Sequence, residues 1–289
     1  MNESEASLGE LEGLLAENRP YLIVSPPRSC STALARTLSQ NSAIVQYLHE
    51  PCDRFFHEKE ELSSIMERLK GLRPRTLIKE MTFQFRDTQV AEAFLKHASH
   101  PILFLVRNPL LTLESRIRMV LFDLIHKENV SETDKNIIET AISSKNYVAV
   151  GDILNENIFP LRVTGWQDLR EQILFCQKHK LNHVVLESKE FRSNPEPVLR
   201  RLCDHWDWKF EPSMLHWEGD DGLRFGAIPR QSSWYSRVAK SKGILPPSEE
   251  FLSPARFPER FQNHLPFALD TFNLIRQSGE ILTADCDER

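Results

Sequence analysis

Arg28, Ser29, Cys30, Ser31 and Thr32 follow one another, and one fixed cation beside three hydroxyls is a set suited to holding phosphate. An arginine offers a planar fork of donors to phosphate oxygens, and hydroxyls add further donors. Arg107 and Ser115 repeat the combination farther along, eight positions apart. Lys79 is a third cation, and Glu50, His49 and Glu80 are groups that can take a proton. Anion binding joined to proton removal is the chemistry these residue types permit.

The elements that must position them are legible around each group. Tyr21-Leu22-Ile23-Val24-Ser25 is an apolar run too short for a buried helix and is stopped by Pro26 and Pro27, which predicts a core strand. Ser29, Ser31 and Thr32 are N-cap residue types for a helical run over 33–38, whose first amides and dipole attract an anion. Pro101-Ile102-Leu103-Phe104-Leu105-Val106 predicts a second buried strand, followed by Arg107-Asn108-Pro109 and a helical run over 110–116 that carries Ser115 two turns in. Thr76-Leu77-Ile78-Lys79-Glu80 predicts a short strand ending in a lysine. Strands near 21–25, 44–48, 76–79, 102–106 and 183–187 alternate with helical runs. The fold class expected is therefore α/β, three-layered, with a central parallel sheet flanked by helices. Ligands of such folds bind beyond the carboxyl ends of the strands, where Arg28, Glu50, Lys79 and Arg107 fall.

An ordinary P-loop carries two glycines and a Lys-Ser/Thr pair, and this loop has neither glycine nor lysine. It resembles instead the 5′-phosphosulfate loop of sulfotransferases that use 3′-phosphoadenosine 5′-phosphosulfate (PAPS): Pro27, Arg28, Ser29, Ser31 and Thr32 match, and Cys30 stands where that loop has glycine. Arg107 and Ser115 have the spacing of the 3′-phosphate site of that superfamily, and Lys79 stands where a strand-end lysine faces the transferring sulfuryl group. The segment Val184-Val185-Leu186-Glu187-Ser188 with Asn194-Pro195 is similar to another of its strand-turn-helix units, with Leu186 where a tyrosine is usual. Lys240, Ser241, Lys242 and Gly243 look like its basic C-terminal loop, with Arg237 just ahead of them; a solvated basic turn is the other reading. The likeness runs over about residues 20–210 by element order. It implies a P-loop-like fold with helical elaborations over the acceptor site, PAPS as donor, 3′-phosphoadenosine 5′-phosphate (PAP) as product, and no metal. It also implies a sulfuryl group moved in line to a hydroxyl or amine.

For the base, Tyr47-Leu48-His49-Glu50-Pro51 resembles the place where protein-tyrosine sulfotransferases carry a glutamate, which makes Glu50 the first candidate. His49 has an intrinsic pKa nearer neutrality. Adjacent residues on an extended backbone point to opposite sides, so one of the two is expected to face the cleft. Glu80 is the third candidate. Cytosolic sulfotransferases carry a histidine after the lysine-bearing strand, where this chain reads Lys79-Glu80-Met81.

The 289 residues suffice for one large core: a single domain over 19–289, preceded by an acidic extension over 1–18. Residues 117–165 are expected either to cover the acceptor site or to complete the core, and residues 207–262 to be loop-rich. The aromatic cluster Trp206, Trp208, Phe210 and Trp217 reads as a core edge. A net charge of −5 argues against a general nucleic-acid binder. Cys30, Cys52, Cys176, Cys203 and Cys286 show no paired metal spacing and are odd in number, so neither zinc nor a disulfide framework is expected. With no secretory signal or membrane span legible, a cytoplasmic location and a small soluble acceptor are expected. A P-loop kinase of a small molecule and a non-catalytic nucleotide-binding scaffold are the alternatives.

Overall fold

The computed structural model describes residues 3–217, 238, 240–247 and 252–284. The apolar run over 21–24 is strand β1 (Tyr21–Ser25), and it lies inside a sheet whose order is β2-β3-β1-β4-β5-β6. The other strands are β2 (Gln46–His49), β3 (Thr76–Met81), β4 (Ser99–Val106), β5 (His183–Glu187) and β6 (Glu280–Leu282). Every pairing is parallel. A parallel sheet must be covered on both faces, and its strands are accordingly apolar almost throughout. The three-layer α/β expectation holds.

Because successive side chains of a strand point to opposite faces, each strand feeds two cores. Leu22, Val24, Ile78, Ile102 and Phe104 meet helices α1 (Glu3–Asn18), α4 (Leu62–Arg68), α5 (Thr88–His97), α8 (Trp166–His179) and α11 (Glu259–Ser278) on one face. Ile23, Leu77, Leu103 and Leu105 meet α2 (Ser31–Leu38) and α10 (Pro195–His205) on the other, with Trp206 and Trp208 at its edge. These tryptophans finish a core, as their residue type suggested; Trp206 Nε1 donates to the Pro101 carbonyl at 2.8 Å.

Two expectations change. The acidic segment is no appendage: its residues 3–18 are α1, and Leu11 and Leu15 are fully buried in the first core beside α5 and α4. The strand carrying Lys79 runs on through Glu80 to Met81, with Lys79 paired between His49 and Ile23, so the lysine lies inside the sheet rather than at its end. Strand β6 extends the sheet beyond β5. Residues 117–165 contribute to a further core and reach a cavity. Helices α6 (Pro109–Ile125) and α7 (Glu132–Ser144) form a third core around Ile117, Leu121, Ile138, Tyr147, Phe257 and Phe261, while Met119 and Lys145 reach the cavity described next.

Candidate active site

A cavity of about 640 Å³ opens beyond the carboxyl ends of β1, β2, β3 and β4. Its size falls within the range of small-molecule sites. Arg28, Cys30, Ser31, Thr32, Glu50, Arg107, Ser115, Ser241 and Gly243 are among its lining residues, so both phosphate motifs and the preferred carboxylate come together.

The loop after β1 turns sharply. Arg28 and Cys30 both adopt left-handed backbone (φ 67°), a conformation glycine takes at no steric cost and an L side chain takes at about 1–2 kcal/mol. That is the physical reason a glycine suits the position Cys30 holds. Cys30 is the N-cap of α2 and makes no side-chain capping bond, so the hydroxyls expected to cap the helix do not. The first turn of α2 is left uncapped by side chains, with Ser31 and Thr32 at the cavity wall. Ser29 instead turns inward; it is fully buried and its Oγ has no hydrogen-bond partner among the described residues. Behind the loop, Gly165 adopts φ 78°, and a Cβ there would meet Thr82 Oγ1 at 2.4 Å and Pro27 Cδ at 3.0 Å. The loop is thus backed by a residue that only glycine can supply without displacement.

Arg28 Nε donates to Ser115 Oγ at 3.1 Å, and Arg107 donates to the Arg28 carbonyl at 3.3 Å. The two motifs, 87 residues apart for that first bond, therefore form one cluster. Arg107 Nε is buried without a hydrogen-bond partner among the described residues. A buried guanidinium donor left unmatched is costly, and a phosphate oxygen is the acceptor its geometry suits.

Glu50 directly follows β2 with φ 49°, which breaks the strand's alternation, and His49 Nε2 stands 3.3 Å from Glu50 Oε1. Glu50 lines the cavity, whereas His49 does not. Lys79 is fully buried and pairs with Glu50 Oε1, and it does not line the cavity. Gln84 Nε2 donates to Glu50 Oε2 at 2.7 Å and to Asp53 Oδ1 at 2.9 Å. Asp53 Oδ1 is in turn 3.6 Å from His57 Nε2, both residues lying on the short helix α3 (Asp53–His57).

The electrostatics sort these groups. Burial alone would raise the Glu50 carboxyl, but Lys79, then His49, then hydrogen bonds from Lys79 and Gln84 outweigh it and hold the pKa at about 2. Burial, followed by the Glu50 charge, raises Glu80 to about 8, although the amides of Cys52 and Met81 donate to it at 2.8 and 3.0 Å. Burial lowers His49 to about 3, so its imidazole, bonded to the Tyr47 hydroxyl, stays neutral.

The C-terminal loop reaches the site only in part. Ser241 and Gly243 line the cavity; Lys240 and Lys242 are exposed and lie off its wall. Trp217 Nε1 donates to the Ser241 carbonyl at 2.7 Å, and Arg36 lies over the Trp217 ring at 5.1 Å. Arg192, on α9 (Ser188–Ser193), lines the cavity and donates to the Leu245 carbonyl at 2.9 Å. Arg237 and Cys286 lie outside the described residues. His57, Gln84, Glu114, Arg118 and Lys145 are wall residues that sequence reasoning missed. For His57 a signal existed: an aspartate and a histidine four apart, directly after Glu50-Pro51-Cys52. Among the described residues no group of three or more His, Cys, Asp or Glu could hold a metal ion, and no helix is long and apolar enough to cross a membrane.

No family model matches the chain. Over 97 residues, 32% of this chain, it is 31% identical to the branched-chain-amino-acid aminotransferase-like proteins 2 and 1 of Arabidopsis thaliana. The match spans 16% of the length of each of those curated relatives. Among solved structures it is similar to the sulfotransferase domain from the curacin biosynthetic pathway (17% identity, TM-score 0.42, 79% of this chain and 85% of that one). It is also similar to the sulfotransferase domain of the Synechococcus PCC 7002 olefin synthase (15%, 0.44, 89% and 96%). A third is a sulfotransferase from Alicyclobacillus acidocaldarius (16%, 0.43, 76% and 91%). At these identities none of the likenesses carries a substrate or a donor over to this chain.

Proposed function

We propose that the protein is a PAPS-dependent sulfotransferase acting on a hydroxyl or amine of a small acceptor. The observation that carries the reading is the meeting of Arg28, Arg107 and Ser115 at one wall of the cavity, with the buried Arg107 Nε lacking a hydrogen-bond partner among the described residues. A nucleotide bearing phosphates at both 3′ and 5′ positions supplies acceptors for two such clusters at once. Arg107 and Ser115 are suited to the 3′-phosphate, and Arg28 with the first turn of α2 to the 5′-phosphosulfate.

In the reaction a new bond forms between the acceptor oxygen or nitrogen and sulfur while the bond from sulfur to the 5′-phosphate oxygen breaks, that electron pair leaving on PAP. Arg28 and the α2 amides meet the negative charge that shifts toward the leaving phosphate. Glu50 stays ionised, held by Lys79, and shapes the field beneath the transferring group. Lys79 thereby acts on the site through Glu50 and not by touching sulfuryl oxygens. Met81, Phe83, Leu111, Met119 and Leu252 give the remaining wall an apolar lining for the acceptor body.

Calorimetric titration tests this in buffer free of divalent cations. PAP is expected to bind at least tenfold more tightly than ADP, because the 3′-phosphate contributes charge-assisted bonds of about 1.5–3 kcal/mol each. Equal affinity for the two, or binding of ATP only with magnesium, would remove the support for the reading.

A further inference from the structure

The proton of the attacking hydroxyl needs a receiver, and the three groups that the sequence offers are each poorly placed for it. His49 is buried off the cavity wall. Glu80 is fully buried, does not line the cavity, and has both oxygens occupied by backbone amides. Glu50 lines the cavity, but protonating it would break its ion pair with Lys79 and leave a buried ammonium uncompensated, at a cost of several kcal/mol.

Resting on the sulfotransferase reading above, we propose that His57 is the group that takes the proton from the acceptor hydroxyl, with Asp53 positioning its ring and balancing the charge it gains. His57 lines the same cavity as Arg28 and Glu50, its side chain 19% exposed, while the Asp53 side chain is 1% exposed with Oδ1 3.6 Å from His57 Nε2. The rings of Phe56 and Phe83 stand edge-on to the imidazole, with centroids at 5.0 and 6.1 Å, and fix its plane. Asp53 is itself anchored, since Gln84 Nε2 is shared between Asp53 and Glu50. Lys79, Glu50, Gln84 and Asp53 are thus one hydrogen-bonded and ionic chain, fully buried at the Lys79 end, and His57 stands 3.6 Å from its Asp53 end at the cavity.

An imidazole whose Nε2 stands 3.6 Å from a buried carboxylate gains an ion pair when it takes a proton, which favours accepting the proton and keeps the resulting cation oriented. The step balances without a further reactant. The hydroxyl proton moves to His57, the oxygen bonds to sulfur, the electron pair of the broken sulfur–oxygen bond leaves on the 5′-phosphate, and the imidazolium later returns its proton to water.

The test uses PAPS with two probe acceptors in mildly alkaline buffer. One is 1-octanol, which must lose its proton during attack; the other is 4-nitrophenol, which arrives already ionised. His57→Gln is expected to slow octyl sulfate formation about 10²- to 10⁴-fold, the usual contribution of a general base, while 4-nitrophenyl sulfate formation falls less than tenfold. Asp53→Asn should show the same split at smaller amplitude. PAP affinity should stay within about threefold in both variants.

Octanol transfer by His57→Gln within threefold of the wild type, or equal losses with both acceptors, would overturn the assignment of His57. Absence of PAP binding by the wild type would instead overturn the nucleotide reading beneath it. If the wild type binds PAP and sulfates neither probe, nitrogen NMR of the His57 imidazole decides. Signals that move when octanol joins the PAP complex support the assignment, and signals that ignore it overturn the assignment.

Discussion

Replacing Lys79 by methionine separates two accounts of that residue. If Lys79 faced the sulfuryl group from the end of a strand, its loss would cost little stability and much nucleotide affinity. The structure places it fully buried inside β3 against Glu50, so the loss leaves a carboxylate at 2% exposure without its cation. Removing one partner of a buried pair typically costs about 3–5 kcal/mol. Protonation limits that cost: with an ordinary carboxyl pKa of 4.5, the 2.5 pH units to neutrality correspond to about 3.4 kcal/mol. Lys79→Met is therefore expected to lose about 3 kcal/mol at pH 7 and less than about 1 kcal/mol at pH 5, where protonating Glu50 is cheap. For a chain of this size that is a fall in Tm of about 6 °C at pH 7. The double variant Lys79→Met/Glu50→Gln should regain most of it, since no charge is then buried. Urea unfolding of the wild type and the two variants at both pH values is the assay. A loss below 1 kcal/mol at pH 7, or the same loss at both pH values, would refute the reasoning.

The remaining predictions follow from the phosphate wall and its supports. Arg107→Ala is expected to weaken PAP binding by about 2–4 kcal/mol, roughly 30- to 1000-fold, and Ser115→Ala by about 1 kcal/mol, in calorimetric titration. Glu80 binds its proton more tightly folded than unfolded, so its contribution is fully present below pH 4.5 and is lost as pH rises to about 8. Glu80→Gln should accordingly gain stability relative to the wild type across that window, as read by Tm. Gly165→Ala forces an L residue into φ 78° against Thr82 and Pro27, and should lower Tm and weaken PAP binding together by displacing the loop that Pro27 begins.

Much of this fold is legible in the chain because a parallel sheet writes itself as apolar runs. The strands at 21–25 and 183–187 and the helix starts after Arg28 and Arg107 stand where the residue patterns put them. What escaped had physical causes. Strand β6 is three residues long, too short to show a period. Helix α1 carries Leu8, Leu11 and Leu15 on one face, but its acidic composition reads as solvated; only docking on α5 makes that face a core. Lys79 and Glu80 read as a strand end because charged residues rarely continue a buried strand, and they do so here by finding Glu50 and two backbone amides. The positive φ of Glu50 has no sequence signal, whereas its place on the wall without His49 follows the expectation that one of the two faces the cleft. His57 was readable as a partner of Asp53, yet its place on the cavity depends on the fold of α3 against Phe83.

The central claim is that one cavity wall is built for a nucleotide phosphorylated at both ends, and a crystal structure of the PAP complex tests it most directly. The account predicts the 3′-phosphate against Arg107 and Ser115, the 5′-phosphate on Arg28 and the first amides of α2, and His57 and Glu50 facing the position beyond that 5′-phosphate. A nucleotide bound with its phosphates away from Arg28 and Arg107 would contradict it.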